Sequence, residues 1–257
     1  GALKISLWAG TAHASVADVT ASVQAAHDDG FEGIWLAQTL TFDAMTALAV
    51  AAAQVPEIAI GTAVVPIQGR HPIPLAQQAM TVADVAGPGR FTLGIGVTHA
   101  MVSEGFYGFP YKDTVALCRE ELQALDGLFG PDRAASVKGR FITATGPSMA
   151  PGRAPEVVLA ALGPQMLALA GRWTAGTITW MTGPQTLRSQ IVPSLREAAN
   201  AAGRSAPRVI AGLPVCVTSD VSAAQDVVRP RIENAGKMPS YRRQLADEGL
   251  DDVADLA

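Results

Sequence analysis

The sequence predicts an α/β chain of the (β/α)8 barrel (TIM barrel) class. Its length of 257 residues is the usual size of one such barrel. Short apolar runs alternate with segments of helical periodicity along the chain. The apolar runs are continuous rather than alternating, which is the pattern of parallel strands buried on both faces. Residues 1–257 are read as a single barrel domain with a small excursion at about 130–152. With 49% hydrophobic and 16% charged residues, the chain can bury a large core, and disorder is excluded.

Leu3–Trp8 reads as the first strand, and Val16, Val19, Val23 and Ala26 mark one face of the helix that ends at Asp29-Gly30. Gly33–Gln38 is the second strand, followed by Asp43 and a helix carrying Met45, Leu48 and Ala52. Ile58–Val65 is the third, closed by Pro66. The third helix places Ile73, Ala76, Met80, Ala83 and Ala86 on one face and stops at Gly87-Pro-Gly. Phe91–Val97 is the fourth strand. Its two glycines, Gly94 and Gly96, weaken a strand, so each requires close approach of another backbone or of a ligand. Relief of crowding inside a barrel is the plainer alternative.

A polar loop, Thr98–Tyr111, follows, holding His99, Ser103 and Glu104 and the aromatic group Phe106, Tyr107, Phe109 and Tyr111. That group reads as a cover over a pocket or as part of a dimer surface. Val115, Cys118, Leu122, Leu125 and Phe129 then keep helical spacing. Val137–Thr143 suggests a small hairpin. Glu156–Leu162, Thr177–Met181 and Val209–Thr218 are further strands; Pro164–Trp173, the Leu187–Ala198 face, Val221–Asn234 and Tyr241–Glu248 are helices. This gives seven strands where the class needs eight, so the last strand-helix unit is expected to be missing from the chain as given. An open seven-stranded sheet is the alternative.

A formal charge of −4 leaves no basic footprint for nucleic acid. No apolar run is long enough to span a bilayer, and the start carries no export signal, so no membrane partner and a cytoplasmic location are expected. Cys118 and Cys216 lack metal or redox spacing and read as small buried hydrophobes. The histidines are scattered without a metal-ligand pattern, so no metal is expected. Neither a nucleophile elbow nor a Walker loop occurs.

Ala160-Ala-Leu-Gly163-Pro164 reads as a strand running through a glycine turn into a helix. Proline suits the first helical position, and the free N–H groups beyond it favour an anion; an ordinary turn has the same outline. His99 follows the fourth strand, and imidazole titrates near neutrality, so it can supply a proton or simply hydrogen-bond the loop. Arg70, His13 and His71 follow strand ends and are weaker candidates for a pocket.

Four segments carry a family resemblance: Gly30–Gln38; Ile60–Pro66; His71–Gly96; and Ala160–Pro164 with Ala175-Gly-Thr-Ile178. The chain resembles the luciferase-like monooxygenase superfamily, in the actinobacterial branch that uses the deazaflavin coenzyme F420. The resemblance implies an oxidoreductase, a homodimer, that moves a hydride between F420 and a small organic substrate. It places the coenzyme's phosphate on Ala161, Leu162, Gly163 and Pro164 and on Met181, Thr182 and Gly183. It places the ring against Ala63, Val64 and Val65, with a non-prolyl cis bond at Ala63–Val64, and beside Val97 and Thr98. His99 and Gln38 become the catalytic candidates. Relatives that carry an acidic residue and a histidine at Gln38-Thr39 differ here, because a neutral pair cannot carry a proton. An FMN-dependent monooxygenase and a non-catalytic flavin or deazaflavin carrier are the alternatives.

Overall fold

Side-chain caps fix where the first three helices begin. In the computed structural model, which describes residues 3–10, 12–148, 150–236, 239–252 and 255, Ser15 accepts the Asp18 N–H ahead of α1 (Val16–Asp28). Asp43 accepts the Thr46 N–H ahead of α2 (Ala44–Gln54). The His71 ring accepts the Ile73 N–H ahead of α3 (Pro72–Ala86), whose first residue is proline. Each cap satisfies a first-turn donor that the helix leaves open.

The chain divides into two compact units, Gly1–Ala160 with Trp173–Ala175 and Ala161–Arg172 with Gly176–Ala257. In the first, β1 (Ser6–Trp8), β2 (Gly33–Leu36), β3 (Ala59–Thr62), β4 (Val65–Pro66) and β5 (Phe91–Gly96) are followed by the hairpin β6 (Ala134–Lys138) and β7 (Thr143–Pro147), then by β8 (Glu156–Ala160). β1, β2, β3, β5 and β8 are parallel neighbours in that order, with β4 also on β5. α4 (Thr114–Phe129) lies between β5 and the hairpin in sequence. The core is built from Ile34, Met45, Leu48, Leu75, Met80, Leu93, Ile95, Leu122 and Leu125, all fully buried.

In the second unit, α5 (Pro164–Trp173) is followed by β9 (Gly176–Trp180) and, after the helices α6 (Pro184–Thr186) and α7 (Val192–Ala201), by β10 (Arg208–Gly212). β9 and β10 are parallel. A π-helical turn, Leu187–Ile191, joins α6 to α7 without a break, so the three pieces make one helical run. α8 (Val221–Gly236) and α9 (Pro239–Glu248) complete the unit.

Each of the seven expected strands is present, with four differences in detail. The third is split into β3 and β4. The buried face of α3 is Leu75, Ala76, Ala79, Met80, Val82 and Ala86, turned from the expected one so that Ile73 and Ala83 are half-buried. The expected polar loop holds a π-helical turn, Met101–Phe106. The last strand ends at Gly212, so Cys216 lies beyond it and is exposed rather than buried.

At the amino end of this sheet Arg90 donates to three backbone carbonyls, those of Ile58, Val55 and Ala86. Glu120 makes the opposite kind of knot. Its carboxylate accepts the N–H groups of Arg140, Phe141 and Ile142 at 2.8–2.9 Å. A Cβ at Gly139 would stand 2.2 Å from that carboxylate, which is why glycine opens the hairpin turn.

Glu121, one residue on, is fully buried with neither carboxylate oxygen hydrogen-bonded. Burial pushes its pKa up to about 8, so at neutral pH it is mostly protonated. Burial, with Glu121 beside it, also pushes the Cys118 thiol up to about 12, which makes that cysteine unreactive. Because the folded chain holds a proton on Glu121 that the unfolded chain releases near its ordinary value, stability falls as pH climbs towards about 8, by several kcal/mol on the order of 4–5. We expect Glu121→Gln to raise the melting temperature at pH 8.5 by roughly 5 °C or more. At pH 5 the same substitution should change little; thermal unfolding of both proteins at the two pH values checks the pair.

Candidate functional site

Parallel strands send their following loops out from one edge, so in the first unit the segments after β2, β4, β5 and β8 leave on the same side of the sheet. Gln38 stands two residues after β2. Its Oε1 accepts the Ala44 N–H at 2.8 Å and its Nε2 donates to the Thr39 carbonyl at 3.1 Å. The side chain therefore helps to cap α2, and a ligand at this position competes with those bonds.

Between β3 and β4 the strand bulges. Gly61 faces Thr92 and Val65 faces Ile95, so four steps on one strand oppose three on the other, the signature of one extra residue. The Ala63–Val64 peptide there is cis, as the resemblance implies. The two glycines of β5 make room for the bulge. A Cβ at Gly94 would lie 1.9 Å from the Thr62 carbonyl oxygen. One at Gly96 would meet the Ala160 side chain at 2.9 Å and that of Val64 at 3.0 Å. Gly94 thus answers a neighbouring backbone and Gly96 two neighbouring side chains. The end of β8 is consequently brought beside the end of β5.

Val97, Thr98 and His99 follow. His99 is exposed, with its carbonyl accepting the N–H groups of Val102 and Ser103 at the start of the π-helical turn. The Thr98 N–H donates to Gln68 Oε1 at 3.0 Å. Gln68 is buried, and its Nε2 has no hydrogen-bond partner. Sequence reasoning passed over this residue, since a glutamine in a turn after a strand reads as solvated. A buried amide donor left unmatched costs about 1–3 kcal/mol, which marks a position waiting for an acceptor.

Three weaker candidates have other employment. Arg70 pairs with Asp43 at 2.7 Å and donates to Gln78 Oε1 at 3.0 Å, so it is not free to meet an anionic tail. Burial alone would raise the Asp43 pKa, but Arg70 and the Thr46 N–H and hydroxyl hold it below its ordinary value. His71 caps α3 and contacts the Thr143 carbonyl at 2.9 Å, which takes it out of a pocket role. His13 lies 3.2 Å from the Ser22 hydroxyl and lines a small hollow with Gly10, Leu36, Thr39 and Thr41. The aromatic group is partly tied down, since the Phe109 carbonyl accepts the buried Ser103 hydroxyl and the Tyr111 N–H bonds Glu104.

In the second unit, Ala161 and Leu162 lead to Gly163 and the start of α5. Apart from Gly163 itself and its two chain neighbours, no atom lies within 4 Å of the place a Gly163 Cβ would occupy, so the turn is open at the start of α5. The Thr177 hydroxyl donates to the Ala161 carbonyl and steadies it. Met181, after β9, takes a left-handed backbone with φ 55°, uncommon outside glycine. Its N–H bond to the Gly212 carbonyl and its burial against Ile232 and Leu245 hold it there. Thr182 is buried and donates to Gln244 Oε1 at 2.6 Å. Beyond Gly183, the N–H groups of Gln185 and Thr186 donate to the carboxylate of Glu248. Gln244 and Glu248 lie four residues apart in a helix whose sequence reads only as amphipathic, and nothing in that pattern points to the turn they meet.

Among the described residues no group of three His, Cys, Asp or Glu side chains could hold a metal ion, and no helix is long and apolar enough to cross a membrane.

A model of the luciferase-like monooxygenase family matches residues 3–255. The chain belongs to that family. It is 29% identical over 177 residues, 63% of the chain and 51% of the relative, to a protein of Mycobacterium tuberculosis assigned as a coenzyme F420-dependent oxidoreductase. It is 30% identical over 189 residues, 71% of the chain and 54% of the relative, to an F420-dependent glucose-6-phosphate dehydrogenase of Beutenbergia cavernae. The chain thus spans about half the length of these curated relatives. Among solved structures, an F420-dependent secondary alcohol dehydrogenase in complex with an F420-acetone adduct superposes with a TM-score of 0.83 at 19% identity, covering 98% of this chain and 84% of that one. This likeness establishes the expected α/β barrel class.

Replacing Gln68 by Leu should leave the Thr98 amide without its acceptor. We expect its hydrogen exchange to quicken roughly fivefold to tenfold, the equivalent of one net hydrogen bond, while amides in α1 are unchanged. Exchange followed by NMR or mass spectrometry reads the difference.

Proposed function

We propose that this chain is an F420-dependent oxidoreductase that moves a hydride between the deazaflavin and a small organic substrate with a polarised double bond or carbonyl. The observation that carries the reading is the open turn at Gly163, at a helix start where free N–H groups favour an anion, in a family whose relatives named above are F420-dependent by name. Two features, one in each unit, fit a phosphate-bearing coenzyme: open space beside the helix start at Gly163, and a buried, unmatched amide donor at Gln68. When bound, the deazaflavin supplies a carbon, C5, that gives or takes a hydride as a nicotinamide does.

The chain's own part is to bind, orient and place a proton. Ala161, Leu162, Gly163 and Pro164 line the phosphate, which accepts from N–H groups of this turn and of the helical residues after Pro164, itself without a donor, with Met181, Thr182 and Gly183 as the other half of the grip. The bulge at Ala63, Val64 and Val65, with Val97 and Thr98, offers the ring a firm wall, fixed by the fit of Val64 over Gly94 and Gly96. Gln68 Nε2 gives a hydrogen bond to a carbonyl oxygen of the ring or the substrate. His99, exposed at the strand end, supplies the proton that accompanies hydride transfer. Gln38 binds rather than titrates, since a carboxamide holds no exchangeable charge. The working form is taken as a cytoplasmic homodimer.

Titration of the chain with F420 and, separately, with FMN, followed by tryptophan quenching, should give micromolar affinity for F420 and far weaker affinity for FMN. The reverse order would move the chain to the FMN-dependent monooxygenases. Gly163→Val fills this open space, and we expect it to weaken F420 binding tenfold or more with a change of only a few degrees in melting temperature. Equal affinity in this variant would remove Gly163 from the phosphate site.

A further inference from the structure

The start of the helical run at Pro184 already holds an anion, and the chain supplies it. The two oxygens of Glu248 accept the successive N–H groups of Gln185 and Thr186, the bonds a phosphate makes at a helix start. The carboxylate lies so close over the turn that a Cβ at Gly183 would stand 2.3 Å from its carbon. Gln185 Nε2 also donates to the Asp247 carbonyl, so the end of α9 is laid directly on the turn.

The fit is incomplete. Gln244, 4% exposed, turns its Oε1 to the Thr182 hydroxyl, and its Nε2 has no partner; the hydroxyl of Thr186, 2% exposed, has none either. Both belong to the residues that enclose this turn. A carboxylate has two oxygens, and here both serve backbone N–H groups. A phosphate brings a further acceptor oxygen for the donors that Glu248 leaves unmatched, and unmatched buried donors are costly. Glu248 and a phosphate cannot share the turn, because two anions on one pair of N–H groups repel.

We propose that the N–H groups of Gln185 and Thr186, with Gln244 Nε2, form an oxyanion site for a phosphate group, and that Glu248 is an internal stand-in which the phosphate displaces. α9 is then a strap, released at its carboxyl end when ligand arrives. The existence of the site stands on the geometry above. That the phosphate is carried by F420 rests on the function proposed here.

The test uses the full chain, with the amides of Gln185 and Thr186 and the side-chain amide of Gln244 followed by NMR. Inorganic phosphate is titrated into the native protein, Glu248→Gln and Glu248→Ala. Displacement predicts binding at least tenfold tighter in both variants, with shifts at all three reporters. Equal or weaker binding, or shifts elsewhere alone, makes Glu248 a permanent cap and overturns the proposal. Gln244→Leu keeps the question open to refutation should the Glu248 variants fold poorly: it must weaken phosphate binding several-fold, and unchanged affinity counts against the site. A parallel titration with F420 separates the two readings. A gain for phosphate without any F420 binding leaves the site standing and removes the proposed coenzyme. F420 binding with no gain for phosphate does the reverse.

Discussion

The hydroxyl of Thr62 holds the most consequential joint of the first unit. It donates to the Gly94 carbonyl and accepts the Gly94 N–H, each at 2.8 Å. A side chain thereby stands in for the ladder where β3 leaves its neighbour, and the backbone can bulge without leaving β5 unsatisfied. The same approach brings the Thr62 carbonyl to where any Cβ of Gly94 would be. One pair of residues thus fixes both the break in the strand and the glycine opposite. The bulge at Ala63–Val65, the meeting of β5 with β8, and the exit of the His99 loop all follow from it.

Much of this was legible beforehand because it depends on local chemistry. Asp43 reads as a helix start in a sequence and caps α2 in the structure. Pro164 and Trp173 bound α5 as the turn and periodicity predict. Gly94 answers the close backbone approach expected of a strand glycine, at Thr62, whereas Gly96 answers crowding by the Val64 and Ala160 side chains, the plainer alternative. The split of the third strand carries no mark in its own apolar run and was not expected; only the cis bond at Ala63–Val64 entered, through family likeness.

What escaped the sequence has a common physical cause. Arg70 and His71 are polar residues after strands, and such residues read as pocket candidates. Whether they bind a ligand depends on whether a nearby N–H, carboxylate or carbonyl claims them first, which is a matter of three dimensions. Gln68, Gln244 and Glu248 show the converse. Their types are ordinary and their spacing is silent, yet burial and unmatched donors set them apart. Cys216 misled for another reason: the apolar run Val209–Thr218 continues past the point where pairing to β9 stops.

The Arg90 clasp has a bearing on how this scaffold can change over time. It ties Val55, Ile58 and Ala86 together at the end of the strands remote from His99 and the bulge. Mechanical fastening and chemical variety are therefore kept at opposite ends of the same sheet. Descendants of this chain can exchange residues around the loops after β2 and β5, and so drift towards new substrates, without loosening the knot that holds their sheet together.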